Sequence, residues 1–202
     1  MKLYDSTIAP NPKRVRMFLA EKGIEIELEE VDIGKAKNRE PAFLAINPMG
    51  TLPVLELDDG THLAESLVIC EYFEDLQPEP PLFGRTAQER ANTRMWERRM
   101  ELELMYPLLG AFRHSTSFFK GRITQIPEIV EPSRAAAAKR FAWLNQELGG
   151  RDFIAGDEFT AADITLFCTV EFGKAVGEKY DSSLTNLVRW NESVSARPSA
   201  AA

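Results

Sequence analysis

At 202 residues, with 44% hydrophobic and 27% charged side chains, the chain has the composition of one large or two small folded domains and not of a disordered or fibrous polymer. A formal net charge of −7 argues against a nucleic-acid-binding surface, and no apolar run approaches the roughly 18 residues that span a bilayer. Cys70 and Cys168 fall in apolar helical patterns and predict buried thiols, no Cys/His spacing suits a metal site, and the N-terminus lacks a secretory layout, which predicts a cytoplasmic protein.

In chain order, residues 2–5 read as a short strand, and Val15, Phe18 and Leu19 recur at helical spacing up to Gly23, a helix stop. A second strand over 26–33 makes a strand, helix, strand unit with a right-handed parallel crossover. A helix over 39–46 ends at Asn47-Pro48-Met49-Gly50, and the strand Pro53-Val54-Leu55-Glu56-Leu57 follows. Asp58-Asp59-Gly60 marks a hairpin that returns His62-Leu63 antiparallel, and a helix over 65–76 closes the unit. The stretch Gln77-Pro78-Glu79-Pro80-Pro81-Leu82-Phe83-Gly84 cannot continue a helix and reads as a linker. Beyond it every pattern is helical: 86–117, 132–148 with Phe141, Leu144 and Leu148 in register, 160–174 and 184–195. The predicted organisation is a βαβαββα domain over 1–77 with a mixed four-stranded sheet, a linker over 78–85 and an all-α domain over 86–202. The basic clusters Lys13, Arg14, Arg16 and Arg94, Arg98, Arg99 are interleaved with acids and are expected on solvated faces.

Pro53 opening a strand, after a βαβ unit and before a hairpin, resembles the cis-proline of the thioredoxin-like fold. A cis bond there turns the backbone N–H and C=O of Leu52 outward, where an extended peptide can pair with them. Ala64-Glu65-Ser66-Leu67 then sits at a strand-to-helix junction, where Glu65 or Ser66 has a plain structural use as a helix cap. The whole segment "NPMGTLPVLELDDGTHLAES" resembles the glutathione-binding segment of the cytosolic glutathione transferases. That resemblance implies that Glu65 and Ser66 hold the γ-glutamyl end of glutathione, that Leu52, presented by Pro53, pairs with its cysteinyl backbone, and that the protein is a homodimer.

The second half agrees with it. Phe159-Thr160-Ala161-Ala162-Asp163-Ile164 is a helix-start box with Thr160 as N-cap, Asp163 at N3 and a Phe159/Ile164 staple, a folding role. "FIAGDEFTAADITLF" and "NLVRWNESVSARPS" are similar to the helical domain of the same family, so the resemblance covers both domains.

The first loop departs from the family pattern. Most members place a Tyr, Ser or Cys near the position of Ala9, and alanine can neither stabilise a thiolate nor form a mixed disulfide. Three substitutes stand in the sequence. Asn11 precedes Pro12 and is expected to cap the first helix; Pro10-Asn11 also resembles the loop of bacterial nu-class members, where an asparagine lies beside the sulfur. Ser6 and Thr7 offer hydroxyls at the strand end, with turn stabilisation an equal use. His114 and Ser117 are expected on the long helix, and in some fungal-type members histidine and serine from this helix hold a water near the thiol. Tyr106, Phe112, Phe118 and Phe119 are candidate walls of an apolar co-substrate pocket, and Lys35 or Arg39 could meet the glycine carboxylate of glutathione on charge alone.

The family resemblance therefore implies attack by the glutathione thiolate on an electrophilic apolar compound, with glutathione as co-substrate and no metal, nucleic-acid or membrane partner. Two alternatives remain open: a glutathione-dependent disulfide reductase or peroxidase, favoured by Pro10-Asn11, and a non-enzymatic scaffold like the stringent starvation proteins, disfavoured by Glu65-Ser66.

Overall fold

In the computed structural model, which describes all 202 residues, the chain divides into two compact units. One is Met1–Leu82 together with Pro198–Ala202, and the other is Phe83–Arg197.

The first unit holds β1 (Lys2–Asp5), α1 (Pro10–Lys22), β2 (Glu27–Glu30), α2 (Pro41–Ile46), β3 (Val54–Glu56), β4 (His62–Ala64) and α3 (Ser66–Leu76). The sheet runs β2-β1-β3-β4, with β1 parallel to β2 and antiparallel to β3, and β3 antiparallel to β4. Helix α1 stops where expected: Gly23 takes φ 65°, its N–H returns to Ala20, and the N–H of Ile24 returns to Leu19. Val15, Phe18 and Leu19 from α1 and Ile69 and Phe73 from α3 are buried, as are Leu3, Val54 and Leu55 of the sheet. Each such side chain contributes about 1.5–3 kcal/mol on leaving water. Edge strand β2 is exposed throughout and carries Glu27, Glu29 and Glu30.

Two expectations change in this unit. Helix α1 begins at Pro10 and not after Asn11: Ala9 is the N-cap, no side chain caps the helix, and Asn11 is its second residue. Either proline suits the first turn, and the turn closed by the Ala9 N–H on the Ser6 carbonyl at 3.1 Å selects Pro10. The last five residues, expected with the helical domain, return to the first unit: the turn Pro198–Ala201 packs on α1, and Ser199 donates to Glu21. The proline-rich segment is tied to α1 by buried Lys22, whose ammonium pairs with Glu74 and donates to the carbonyls of Gln77 at 2.8 Å and Pro80 at 2.6 Å.

The second unit contains α4 (Ala87–Met100), α5 (Tyr106–Ser115), α6 (Val130–Glu147), α7 (Ala161–Ala175) and α8 (Thr185–Ser195), around a core of Met100, Leu104, Leu108, Leu144, Leu148 and Trp190. The helix expected over 86–117 is not uniform: a π segment, Glu101–Met105, separates α4 from α5. Pro107 supplies the reason, since it has no N–H and its ring crowds the carbonyl four residues back, so the ladder widens just ahead of it. The helix also ends early. Thr116 turns to φ −98°, ψ 150°, its hydroxyl back-bonds to the Phe112 carbonyl at 2.9 Å, and Gln125 donates to the carbonyls of Arg113 and Thr116. Ser117, expected on the helix, therefore opens a short 3-10 turn, Ser117–Phe119.

At the start of α7 the Asp163 carboxylate accepts from the N–H groups of Ile154 and Thr160, the Thr160 hydroxyl and the Trp190 indole, all at 2.8–3.1 Å. The folding role expected of the Thr160 box is thereby met.

Candidate active site

Strand register brings the main sequence candidates of the first unit to one end of the sheet. Tyr4 of β1 pairs with Val54 of β3, and Val54 pairs with Ala64 of β4. Because β3 runs against both neighbours, the next residue out on each strand is Asp5, Pro53 or Glu65. The loop of Ser6 to Ala9, the Leu52-Pro53 peptide and the Glu65-Ser66 junction thus share an edge, and α1 and α3 both start from it.

Leu52-Pro53 is cis, and no backbone hydrogen bond within the chain uses the Leu52 N–H or C=O. An extended peptide could take both, as one strand takes another. The loop ahead of it is held from several sides: Asn38 donates to the Gly50 carbonyl at 2.7 Å, Arg39 to the Met49 carbonyl at 3.0 Å and Asn47 to the Thr51 carbonyl at 2.9 Å. Gly50 has φ 61°, and a Cβ there would lie 2.8 Å from both Arg39 and the Asn38 carbonyl, so the loop requires glycine. Arg39 is accordingly occupied with the loop, and exposed Lys35 pairs with Asp32 at 3.2 Å.

Glu65 has φ 73°, ψ 114°, a conformation that costs a non-glycine residue about 1–3 kcal/mol and persists only where the surroundings impose it. Neither Glu65 nor Ser66 caps α3, so the plain structural use expected of them is not made. Glu65 is exposed, whereas Ser66 is buried and its Oγ accepts from Arg14 Nη1 at 3.0 Å. Arg14 is itself 2% exposed, which overturns its expected place on a solvated face. The sequence held a signal for it: Met17 and Phe18, three and four residues on, are core residues of the same helix face.

The first loop is tightly held. Glu30 accepts from the Thr7 N–H at 3.1 and 3.3 Å and faces the buried Ser6 hydroxyl at 3.5 Å, so turn stabilisation is what the two residues visibly do. At the N-terminus of α1, Pro10 and Pro12 have no N–H, which leaves the Asn11 N–H as the one main-chain donor among its first three residues. Asn11 is half-buried and its carboxamide is not used as a cap.

In the second unit, His114 Nδ1 accepts from the Ile126 N–H at 3.0 Å, which places the proton of the neutral ring on Nε2. Ser117 and Tyr106 are exposed. Phe112 packs against Phe118, Phe119 and Phe172 with centroids 5.2–6.1 Å apart, forming an aromatic cluster at the end of α5.

Comparison with known proteins places matches on both units. The glutathione S-transferase N-terminal domain family matches residues 9–76 and the C-terminal domain family residues 100–198. Glutathione S-transferase 2 of Saccharomyces cerevisiae is 35% identical over 98% of this chain and 87% of its own length. The crystal structure of Gtt2 from Saccharomyces cerevisiae superposes with a TM-score of 0.94 at 35% identity, covering 98% of each chain. A glutathione S-transferase domain-containing protein of Marinobacter aquaeolei gives a TM-score of 0.94 at 37% identity over 98% of this chain and 99% of its own.

Proposed function

The chain belongs to the glutathione S-transferase family and is a glutathione transferase, and we propose that the shared edge of its first unit holds glutathione for attack of the thiolate on an apolar electrophile. The observation that carries the assignment of residues is the convergence at one sheet end of an unused Leu52 peptide edge, a strained Glu65 and a hydrogen-bonded Ser66. In this reading the cysteinyl backbone pairs with Leu52, beside Pro53, and the γ-glutamyl end meets Glu65 and Ser66. Lys35 and Arg39 remain candidates for the glycine carboxylate on charge alone, with Arg39 also holding the Met49 carbonyl and Lys35 paired with Asp32.

Thiolate formation is the harder part. A thiol of pKa about 8.5 is only a few per cent ionised at neutral pH, and each unit of lowering needs about 1.4 kcal/mol. The α1 dipole contributes roughly 0.3–1 kcal/mol. Two of its first three residues lack N–H groups, so the Asn11 N–H and carboxamide are the donors left to do more. Asn11 is therefore the first candidate for stabilising the sulfur. Ser6 ranks lower because its buried hydroxyl faces Glu30, Thr7 keeps its hydroxyl since Glu30 takes only its N–H, and His114 and Ser117 are the candidates from the helical unit. The aromatic cluster of Phe112, Phe118 and Phe119 suits an apolar co-substrate, with Tyr106 a further wall. We read the protein as a cytoplasmic homodimer that uses no metal.

Calorimetry with reduced glutathione, followed by turnover of a halogenated dinitrobenzene, tests the assignment. Glutathione binding that survives Glu65→Gln unchanged would remove it. A second reading, glutathione-dependent disulfide reduction, is favoured by Ala9 and Pro10-Asn11, because a loop with no thiol, and no hydroxyl at the position of Ala9, suits a reaction in which glutathione supplies both sulfurs. Tighter binding of oxidised than reduced glutathione, with slow turnover of the arene, would select that reading.

A further inference from the structure

An open cavity of about 510 Å³ lies in the helical unit, lined by Arg99, Glu103, Arg140, Trp143 and Glu147, and its size is that of small-molecule sites. Helical spacing brings these residues together. Trp96, Arg99 and Glu103 follow one another at three and four residues, as do Arg140, Trp143 and Glu147 of α6, so each set shares one face. The two indoles stack with centroids 5.4 Å apart and planes 18° from parallel. Guanidinium groups flank them: Arg99 and Arg151 lie 4.9 and 5.2 Å from the Trp96 centroid, and Arg140 lies 5.4 Å from that of Trp143. The charges there do not cancel. Arg140 pairs with Glu103 at 2.5 Å and Arg151 with Glu147 at 2.8 Å, whereas Arg99 has an indole face and no carboxylate. Trp96 is buried and Trp143 only half-buried, so the cavity keeps an indole in its wall and one guanidinium charge left over.

We propose that this cavity is a second ligand site that takes a planar aromatic monoanion, such as an aryl carboxylate, with Arg99 selecting the charge and Trp143 the ring. The proposal is independent of where glutathione binds, since every residue in it belongs to the helical unit. A flat ring gains by lying against indole and guanidinium planes. An anion without a ring leaves Trp143 unused, and a neutral ring leaves Arg99 without a counter-charge. A second negative charge on the ligand would meet Glu103 and Glu147 in the cavity wall, which favours a monoanion over a dianion. Arg99 also sits four residues after Met95 and three before Leu102, both exposed, so the site borders a face that a second copy could cover. A cavity closed in that way binds nothing, and the test includes that outcome.

Calorimetry on the full chain compares 2-naphthoate with its neutral isostere 2-naphthamide, with saturating S-hexylglutathione present to fill the glutathione site. Wild type should bind the acid at least about fivefold more tightly than the amide. Arg99→Gln should abolish that preference, Arg99→Lys should keep most of it, and turnover with glutathione should be unchanged in both. Trp143→Leu should weaken acid and amide alike, about fivefold. Should Trp143→Leu not fold, the half-buried Arg99 can be replaced without touching the indole stack, and its two variants decide. No binding by wild type, equal binding of acid and amide, or a preference that survives Arg99→Gln would overturn the proposal. Displacement of 2-naphthoate by S-hexylglutathione would overturn it too, because the acid would then be occupying the glutathione site.

Discussion

Arg16 reaches back from α1 to hold both carboxylate oxygens of Asp5, at 2.6 and 2.8 Å, across the loop that carries Ser6 to Ala9. Asp5 is almost wholly buried, so the pair fixes the strand end and the helix start as one piece. Removing one partner leaves a buried charge without compensation. Arg16→Ala should lower stability by about 3 kcal/mol in urea unfolding, and adding Asp5→Asn should recover part of the loss.

Asn11→Asp separates the proposed sulfur contact from helix stability. Aspartate in the first turn of α1 suits the dipole, so the melting temperature should hold, but it offers no donor and places negative charge beside the thiolate. The thiol pKa of bound glutathione, followed by thiolate absorbance, should rise. An unchanged pKa here, with a raised one in His114→Ala or Ser117→Ala, would move the activating group to the helical unit.

His114 holds the chain after α5 through the Ile126 N–H, and an asparagine oxygen lies close to where Nδ1 now accepts. Thermal melting should show His114→Asn near wild type and His114→Ala about 1 kcal/mol less stable. Activity lost equally in both would show that the ring itself matters beyond this bond.

Burial outweighs the donors around Asp163 and pushes its carboxyl up to about 6. The native state then keeps a proton that the unfolded chain, with an ordinary carboxyl near pKa ~3.9, has already lost at pH 5. Stability from this group is full below pH ~4 and falls as pH rises through about 6, because the native state binds more protons over that window. Asp163→Asn should lack this slope in urea midpoints compared at pH 4.5 and 7, and it should be less stable throughout, by about 2 kcal/mol, because an amide cannot accept from every donor there.

For the dimer, the unpaired apolar stripe of the helical unit is the place to test. Met95, Leu102 and Tyr106 are exposed on α4, the π segment and α5, among Arg94, Arg98 and Glu101. Sedimentation should give a mass near twice 22.7 kDa, and Met95→Glu with Leu102→Glu should bring it to the single-chain value.

Helix and strand order was legible because the apolar periods are regular and the stops are explicit, as at Gly23 and in Asp58-Asp59-Gly60. The cis-proline and the Glu65-Ser66 junction were legible as motifs, and the register of Tyr4, Val54 and Ala64 shows why they share an edge. Arg14 was missed because charge was read as exposure, although its place beside Met17 and Phe18 in the helical period was available. The start of α1 was misjudged because two prolines two residues apart are equally good first-turn residues, and only a tertiary turn chooses between them. The π segment needed Pro107 to be weighed as a defect in a helix that the apolar pattern alone extends through.

The return of Pro198–Ala202 onto α1 makes the first unit discontinuous in sequence. A ribosome delivers residues in order, so the strands and helices of that unit emerge well before the segment that finishes them, with all of Phe83–Arg197 still to be made. Through that interval α1 lacks the bond that Ser199 will make to Glu21. The helix that carries Asn11 and Arg14 is thus covered by its last contact only late in synthesis, and vectorial production of this protein separates building the proposed glutathione edge from closing its support.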